Sequence, residues 1–406
     1  VSDVAPPAPP ISERGYVTQT TNWWSSDEFE QTPELRWPLS IDVFDKMRRT
    51  DAQVASVLRA VTLPVRRTTW RIDPNGARDE VVQQIALDLG LPIVGGEVPA
   101  TRTRDRFSWP NHLRLALLML PFGHMFFEQN VRIDDAGKAR LRKLGPRMPR
   151  TLTAVNVADD GGLVSIEQAA GASKVEIPVN RLVAYVHDQE GGNWLGSSLL
   201  RPAYKHWIIK DRLLRVQAQT IDRNGMGIPL YQGAPNEESL ADGAALAQAW
   251  RSGDNSGAAV PNGSDLVLRG VEGTLPDADP AIRYHDEQIA RAVLAHFLNL
   301  GTETGSWALG STFADFFTLS LQALAEQIAD VSTQHIVEDL VDWNWGVDES
   351  APRIVFDEIG SQMPANAQAI KMLVDAGVIF PDRVLEEAMR QLHGLPPKDL
   401  PPPAAP

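Results

Sequence analysis

The sequence predicts an α+β protein, with a mixed first half of short helices and strands and a second half of long helices around one irregular insert. Three observations predict it. Between residues 40 and 187 the apolar spacing switches repeatedly between a helical and an alternating period. After residue 197 three long stretches keep helical spacing. Between the first two of them, residues 225–277 keep neither period.

Residues 1–10, "VSDVAPPAPP", are Pro/Ala-rich and read as extended or mobile. Residues 40–63 read as a helix carrying Ile41, Phe44, Met47, Val54, Val57, Leu58 and Val61. "TTWRIDP" (68–74) reads as a strand ended by Asp-Pro. Residues 78–90 form a helix stopped by Gly90, and 109–120 a buried helix. "GHMFFEQNVRI" (123–133) is a strand, with "DDAGK" as its hairpin turn. Residues 152–187 alternate as strands around "ADDGG". A long helix at 197–224 carries six basic residues between Arg201 and Arg223, against Asp211 and Asp222. The insert holds a small helix near 240–250 and strands near 258–261 and 266–268. Asp279-Pro280 reads as N-cap and first turn of a helix with Ile282, Ile289, Val293, Phe297 and Leu300 on one face. The loop 301–310, with three glycines and Trp307, precedes a helix over about 311–343. Phe317, Leu321, Leu324, Ile328 and Val331 give that helix a coiled-coil-like stripe. "PRIVFDEI" (352–359) is a strand, and two short helices meet at "DAGVIFPD".

The bulk numbers set bounds. A length of 406 residues with 43% hydrophobic content fits two to four compact units with a real core. The chain has no cysteine, which excludes a disulfide framework and thiolate metal sites and fits a reducing bacterial cytosol. A net charge of −14 argues against a tight nucleic-acid grip. The longest apolar run, 113–127, is broken by Arg114, Pro121, Gly123 and His124 and is too short for a membrane span. Gly137-Lys138 is followed by Ala139, so no P-loop forms there. No nucleophile elbow or H-E-x-x-H motif occurs, the eight histidines lie singly, and no carboxylate pair stands out for metal-assisted hydrolysis. His285 and His296 share a helix at a spacing unsuited to a metal pair and read as surface or satisfied core histidines. Most of the eleven tryptophans read as packing anchors.

Five stretches, in order, resemble the portal proteins of tailed bacteriophages, leaning toward the Mu-like branch. They are "TDAQVASVLRAVTLPVRRTTWRIDP" (50–74), "PFGHMFFEQNVRI" (121–133), "GGNWLGSSLLRPAYKHWIIKD" (191–211), "DEQIARAVLAHFLNLGTETGSWALGSTFADFF" (286–317) and "KMLVDAGVIFPDRVLEEAMRQLHGLPP" (371–397). The first carries an Asp, a helix and Trp-x-Ile-x-Pro; the third carries Gly-x-Ser-x-Leu before a long helix. The insert and the N-terminal tail match poorly.

The resemblance implies a phage portal fold: an N-terminal tail and mixed α/β wing over 1–196, stem helices at 197–224 and 280–300, and a clip at 225–279. It further implies a tunnel loop at 301–310, a long wing helix and strand at 311–362, and a helical crown with a Pro-rich tail at 363–406. It implies a homo-oligomeric ring, typically a dodecamer, at one capsid vertex of the virion, assembled in the host bacterial cytoplasm. Double-stranded DNA passes through such a ring. Its expected partners are the terminase packaging motor, the major capsid and scaffold proteins, and the neck or head-completion adaptors. The expectation is a structural protein, not an enzyme, with no catalytic residue, metal, cofactor or membrane contact. Thr302, Glu303, Thr304, Gly305, Ser306 and Trp307 are expected to border the channel. Trp307 either stands at the constriction or packs beneath the following helix. Trp250, Arg251, Pro261, Asn262 and Asp265 are expected at the clip's partner interface. A nuclease of the packaging machinery and a helical adaptor or scaffold are the alternatives.

Overall fold

The computed structural model describes residues 30–96, 107–171, 173–226, 228–235, 239–249, 257, 259–269, 277–293 and 307–360. The chain divides into two units, Val1–Phe356 and Asp357–Pro406, and the architecture below is that of the first. The expected crown helices lie outside the described residues.

Two helices stand where the periodicity predicts one. α1 (Leu39–Thr50) ends and α2 (Ala52–Arg67) begins at Asp51, whose backbone is extended. Its carboxylate accepts from the Gln53 and Val54 N–H groups, so it caps the new helix. β1 (Trp70–Asp73) follows, then α3 (Asp79–Leu89), stopped as expected by left-handed Gly90. The expected buried helix is also split, into α4 (Trp109–Ala116) and α5 (Met119–Phe122). Next come β2 (His124–Ile133), β3 (Ala139–Arg147), β4 (Leu152–Val157), β5 (Leu163–Ala170), β6 (Ser173–Pro178) and β7 (Leu182–Val186). The second half holds α6 (Tyr204–Met226), β8 (Ile228–Gln232), α7 (Ala241–Gln248), β9 (Asp265–Arg269), α8 (Asp279–Arg291) and α9 (Trp307–Ser332). A π-helical segment, Thr333–Glu338, joins α9 to α10 (Asp339–Trp345), and β10 (Arg353–Phe356) ends the unit.

The sheets are small and antiparallel: β1 with β10, β3-β2-β7, β4-β5-β6, and β8 with β9. The Trp-x-Ile-x-Pro stretch is β1. Trp70 packs on Trp109 and Phe356 at 5.4 and 5.1 Å between ring centroids, and its Nε1–H donates to the Val65 carbonyl at 3.1 Å. Ile72 is fully buried opposite Ile354. β3 is a sheet edge, and side chains close part of it. Asn344 bonds both backbone groups of Ala139, Gln84 donates to the Ala139 carbonyl, and Asp88 accepts from Leu141 N–H. An edge closed this way is a poor template for strand addition.

The stripe expected to be coiled-coil-like is core. Phe317, Leu321, Leu324 and Ile328 are buried, and α9 packs on α2, β7 and β10 of the same chain. Ser332 Oγ donates to the Ile328 carbonyl at 2.6 Å and bonds the Tyr185 hydroxyl, which in turn meets His112 Nε2, both at 2.8 Å. This buried relay pins the helix where it turns π-helical, the kind of side-chain intrusion that marks such segments.

Four further boundaries differ from expectation. α6 starts at Tyr204, not 197, because residues 197–203 form turns tied to α5. Asp279 is the first residue of α8, not its cap; it pairs with Arg283, and its N–H donates to Asp277 Oδ1. The strand near 258–261 is absent among the described residues there, and β9 pairs instead with β8, which the expectation left irregular. α9 begins at Trp307, so the expected 301–310 loop is shorter at its C-terminal side.

Candidate functional site

The long helix α6 is rooted in a close backbone crossing. Gly123, with φ +86°, follows α5; Gly196, with φ +63°, opens the Gly-x-Ser-x-Leu stretch. A Cβ on Gly196 would lie 2.4 Å from the Gly123 carbonyl oxygen and 2.6 Å from that of His187. A Cβ on Gly123 would lie 2.4 Å from the Leu195 carbonyl oxygen. Only glycine allows this approach. Around it the His187 N–H donates to the Gly123 carbonyl, Ser197 N–H to that of His187, and Leu199 N–H to that of Leu120, at 2.8 to 2.9 Å. Ser198 Oγ donates to the Pro121 carbonyl at 2.7 Å and accepts from Leu200 N–H, while the Leu200 side chain is wholly buried. The motif is thus structural: glycine for proximity, serine as a tie and leucine as an anchor.

His124 Nδ1 bonds the Leu195 carbonyl at 2.9 Å in the same crossing. A carbonyl only accepts, so Nδ1 carries the proton and Nε2 is bare. Burial pulls the His124 pKa down to about 4 and that of His112 to about 3. Both groups stay neutral in the folded chain while the unfolded chain takes up protons below its ordinary value of about 6.5. Stability is therefore full above that value and falls as pH drops toward 4, by about 1.4 kcal/mol per pH unit for each histidine. Asp88 and Asp339, raised by burial, act in the opposite sense. Urea unfolding at pH 7 and pH 5 measures the slope, and His112→Gln should reduce it.

α6 and α8 pack as a pair, and Lys210 ties them to α2. Its side chain is only 8% exposed. The ammonium lies 2.9 and 3.0 Å from the two Asp51 carboxylate oxygens and 2.5 Å from Asp286 Oδ1. Burial pulls its pKa down, but the bonds to Asp286 and Asp51 outweigh this and leave it raised. Asp51 thus caps α2 and pairs with α6, joining the first resembling stretch to the third. One turn before Lys210, His206 Nδ1 meets His285 Nδ1 at 3.0 Å. Burial, and then the proximity of His285 and Lys205, lowers the His206 pKa. His285 is accordingly a satisfied, mostly buried histidine. Lys210, Asp51 and Asp286 carried no functional expectation; the only sequence signal was Asp51 just ahead of an apolar-periodic run.

Five large apolar side chains of α6 are uncovered among its charged and polar residues. Ile208, Ile209, Leu214 and Val216 are exposed, and Ile221 is 63% exposed. Ile209 and Val216 stand seven residues apart along one side, and Leu214 and Ile221 seven apart along another, about 140° away at ~100° per residue. On α9, Phe316 and Leu319 are also exposed. Between α6 and α8 the insert folds β8 against β9, and α7 lies on β8 where Gly243 meets the Tyr231 ring.

Pro261 and Asn262 sit in the turn before β9, closed by the Ser264 N–H donating to the Pro261 carbonyl, and Asp265 is the first residue of β9. All three are exposed. Trp250 and Arg251 lie outside the described residues, as do Thr302, Glu303, Thr304, Gly305 and Ser306. Trp307 is the first residue of α9. Among the described residues no three His, Asp or Glu side chains converge as a metal site, and no helix is long and apolar enough to cross a membrane.

The family model described as "Portal protein of Mu bacteriophage" matches residues 41–395. Three solved structures share the fold. A chain of the neck of an empty gene transfer agent particle, computed with C6 symmetry, is 14% identical with a TM-score of 0.57. Chains of the native particle's virion and of its neck computed with C12 symmetry are 13% and 12% identical, each with a TM-score of 0.55. Each match covers 88% of this chain and 94% of the other.

Proposed function

The chain belongs to the family of the portal protein of Mu bacteriophage, and on that premise we propose that it closes into a dodecameric ring at one capsid vertex, a conduit for double-stranded DNA. α6 and α8 are the stem, the β8–α7–β9 insert is the clip, and residues 301–306 with the start of α9 border the channel. The observation that carries this reading is the pair of uncovered apolar stripes on α6. A ring closes through heterologous contacts, in which each subunit offers one face to the neighbour on its left and another to the neighbour on its right. Two separate stripes on one stem helix suit that arrangement, and apolar patches of this kind mark interaction surfaces. The similarity to neck chains of particles computed with C12 symmetry supports the ring number.

The acidic chain suits a conduit. Each neutralised phosphate adds affinity, so a basic channel would hold DNA rather than let it slide. Glu303, repeated around a ring, makes a band of negative charge that centres the duplex by symmetric repulsion. The turn with Pro261 and Asn262, and the neighbouring Asp265, lie in the clip, where the packaging motor and then the neck proteins dock. The role is structural, in the virion, after assembly in the host cytoplasm.

Two experiments test this. Ile209→Glu and Ile221→Glu each spoil one stripe, and either alone should prevent closure. Burying an isoleucine contributes roughly 2 kcal/mol, which a charge at the same place more than reverses. Native mass spectrometry should find rings for the parent and small species for each variant; rings from both variants would refute the stem assignment. Deleting Glu303–Trp307 should leave the ring intact but sharply reduce DNA packaged per particle. Full-length packaging at normal yield would remove the channel assignment of this loop.

A further inference from the structure

The α6 stripe that carries Ile209 and Val216 bears charge as well as apolar surface. Lys205, Ile209, Arg212 and Val216 stand four, three and four residues apart. At ~100° per residue they fall within about 60° of one another. All four are exposed. Lys210, which ties α6 to α8, stands about 130° away around the helix, so this strip faces away from its own partner helix. Neither Lys205 nor Arg212 has an ion-pair partner among the described residues, whereas the neighbouring Arg215 is paired with Asp211.

A strip of the opposite charge lies on α9. No lysine or arginine occurs from Ala292 to Pro352. Within that stretch α9 turns Phe317, Leu321, Leu324 and Ile328 inward. On its other side Leu319, Ala323, Glu326 and Asp330 are all exposed, again four, three and four residues apart. Leu319 is among the most exposed apolar residues of the chain, at 63%. Glu326 and Asp330 have no ion-pair partner among the described residues. The two strips are equally long, about 17 Å at ~1.5 Å per residue, and each mixes free charge with apolar side chains. Pairing α6 with α6 would bring cations together, and pairing α9 with α9 would bring carboxylates together. Like charges set against each other reject a partner, so only the cross pairing both neutralises the charges and covers the apolar groups.

We propose that the Lys205–Val216 strip of α6 docks on the Leu319–Asp330 strip of α9 in a second copy of this chain. Glu326 and Asp330 neutralise Lys205 and Arg212, while Leu319 and Ala323 cover Ile209 and Val216. Such a contact joins two different faces, as a closed ring requires. The pairing rests on the ring proposed above and names the surface that meets one of the α6 stripes.

Charge reversal in the full chain, read by native mass spectrometry, tests it. Lys205→Glu/Arg212→Glu and, separately, Glu326→Lys/Asp330→Lys should each lower the fraction of chains in rings at least tenfold. All four side chains are exposed, so both variants should keep the parent's circular dichroism. A chain carrying all four substitutions should recover at least half of the parent's rings, because each reversed strip again meets its complement in the next copy. Mixing the two double variants should also restore rings, with the two chains alternating. Rings at the parent's level from either double variant alone overturn the pairing and leave the ring intact. So does failure of both the mixture and the four-substituted chain to recover rings. Absence of rings from the parent itself overturns the ring, and the pairing with it.

Discussion

Replacing Lys210 with methionine should destabilise the α2–α6–α8 junction by about 3–5 kcal/mol, among the larger effects any single substitution can have here. The size follows from what is left behind. The ammonium neutralises Asp51, itself 8% exposed on its side chain, and also Asp286. Without it two carboxylates stay close together with no counter-charge. Methionine retains the stem's volume and apolar packing, so the change isolates the charge. Hydrogen exchange should rise first in α8, which packs on α2 and α6 and holds one of the two carboxylates left without this cation. Adding Asp51→Asn and Asp286→Asn should recover most of the loss, because asparagine caps a helix about as well as aspartate. A buried triad replaced by neutral groups is often nearly neutral in stability, whereas one missing partner is not. If Lys210→Met alone leaves both the urea midpoint and α8 exchange unchanged, water screens the three charges in the folded chain.

The elements that could be read from the sequence are those whose signal is local. The apolar spacing of Val54, Val57 and Val61 gave a helix, and the alternation after Leu152 gave strands, because burial imposes those periods directly. The same spacing hid the break at Asp51, since apolar residues continue in phase on both sides and only the cap marks the boundary. β8, "IPLYQ", is too short and too exposed to show a period, and it gains its structure from β9 across the insert. The site residues were harder. Lys210 and Asp51 are 159 positions apart, and His206 and His285 are 79 apart. No periodicity links such residues; the fold alone brings them together. The Gly-x-Ser-x-Leu stretch was visible as a resemblance, but its reason, the contact with Gly123, belongs to tertiary structure.

That contact gives the other large expected effect. Gly196→Ala should cost at least about 4 kcal/mol and leave little soluble, correctly assembled protein. Two penalties add. The left-handed backbone at φ +63° costs a Cβ-bearing residue roughly 1–2 kcal/mol by itself. The larger part is the new methyl group, 2.4 Å from one carbonyl oxygen and 2.6 Å from another, both on backbone that cannot rotate aside. The chain must separate, which breaks the Ser197 and Ser198 ties and misplaces the start of α6. Gly137→Ala is the matched control. Its φ is +79°, yet a Cβ there meets nothing within 4 Å, so it should lose only the conformational part. Gly123→Ala should resemble Gly196→Ala, and the double variant should lose less than the sum, because one backbone separation relieves both clashes. Thermal unfolding of the four proteins measures all of this. Equal losses at Gly137 and Gly196 would mean that positive φ alone, and not the crossing, sets the requirement for glycine.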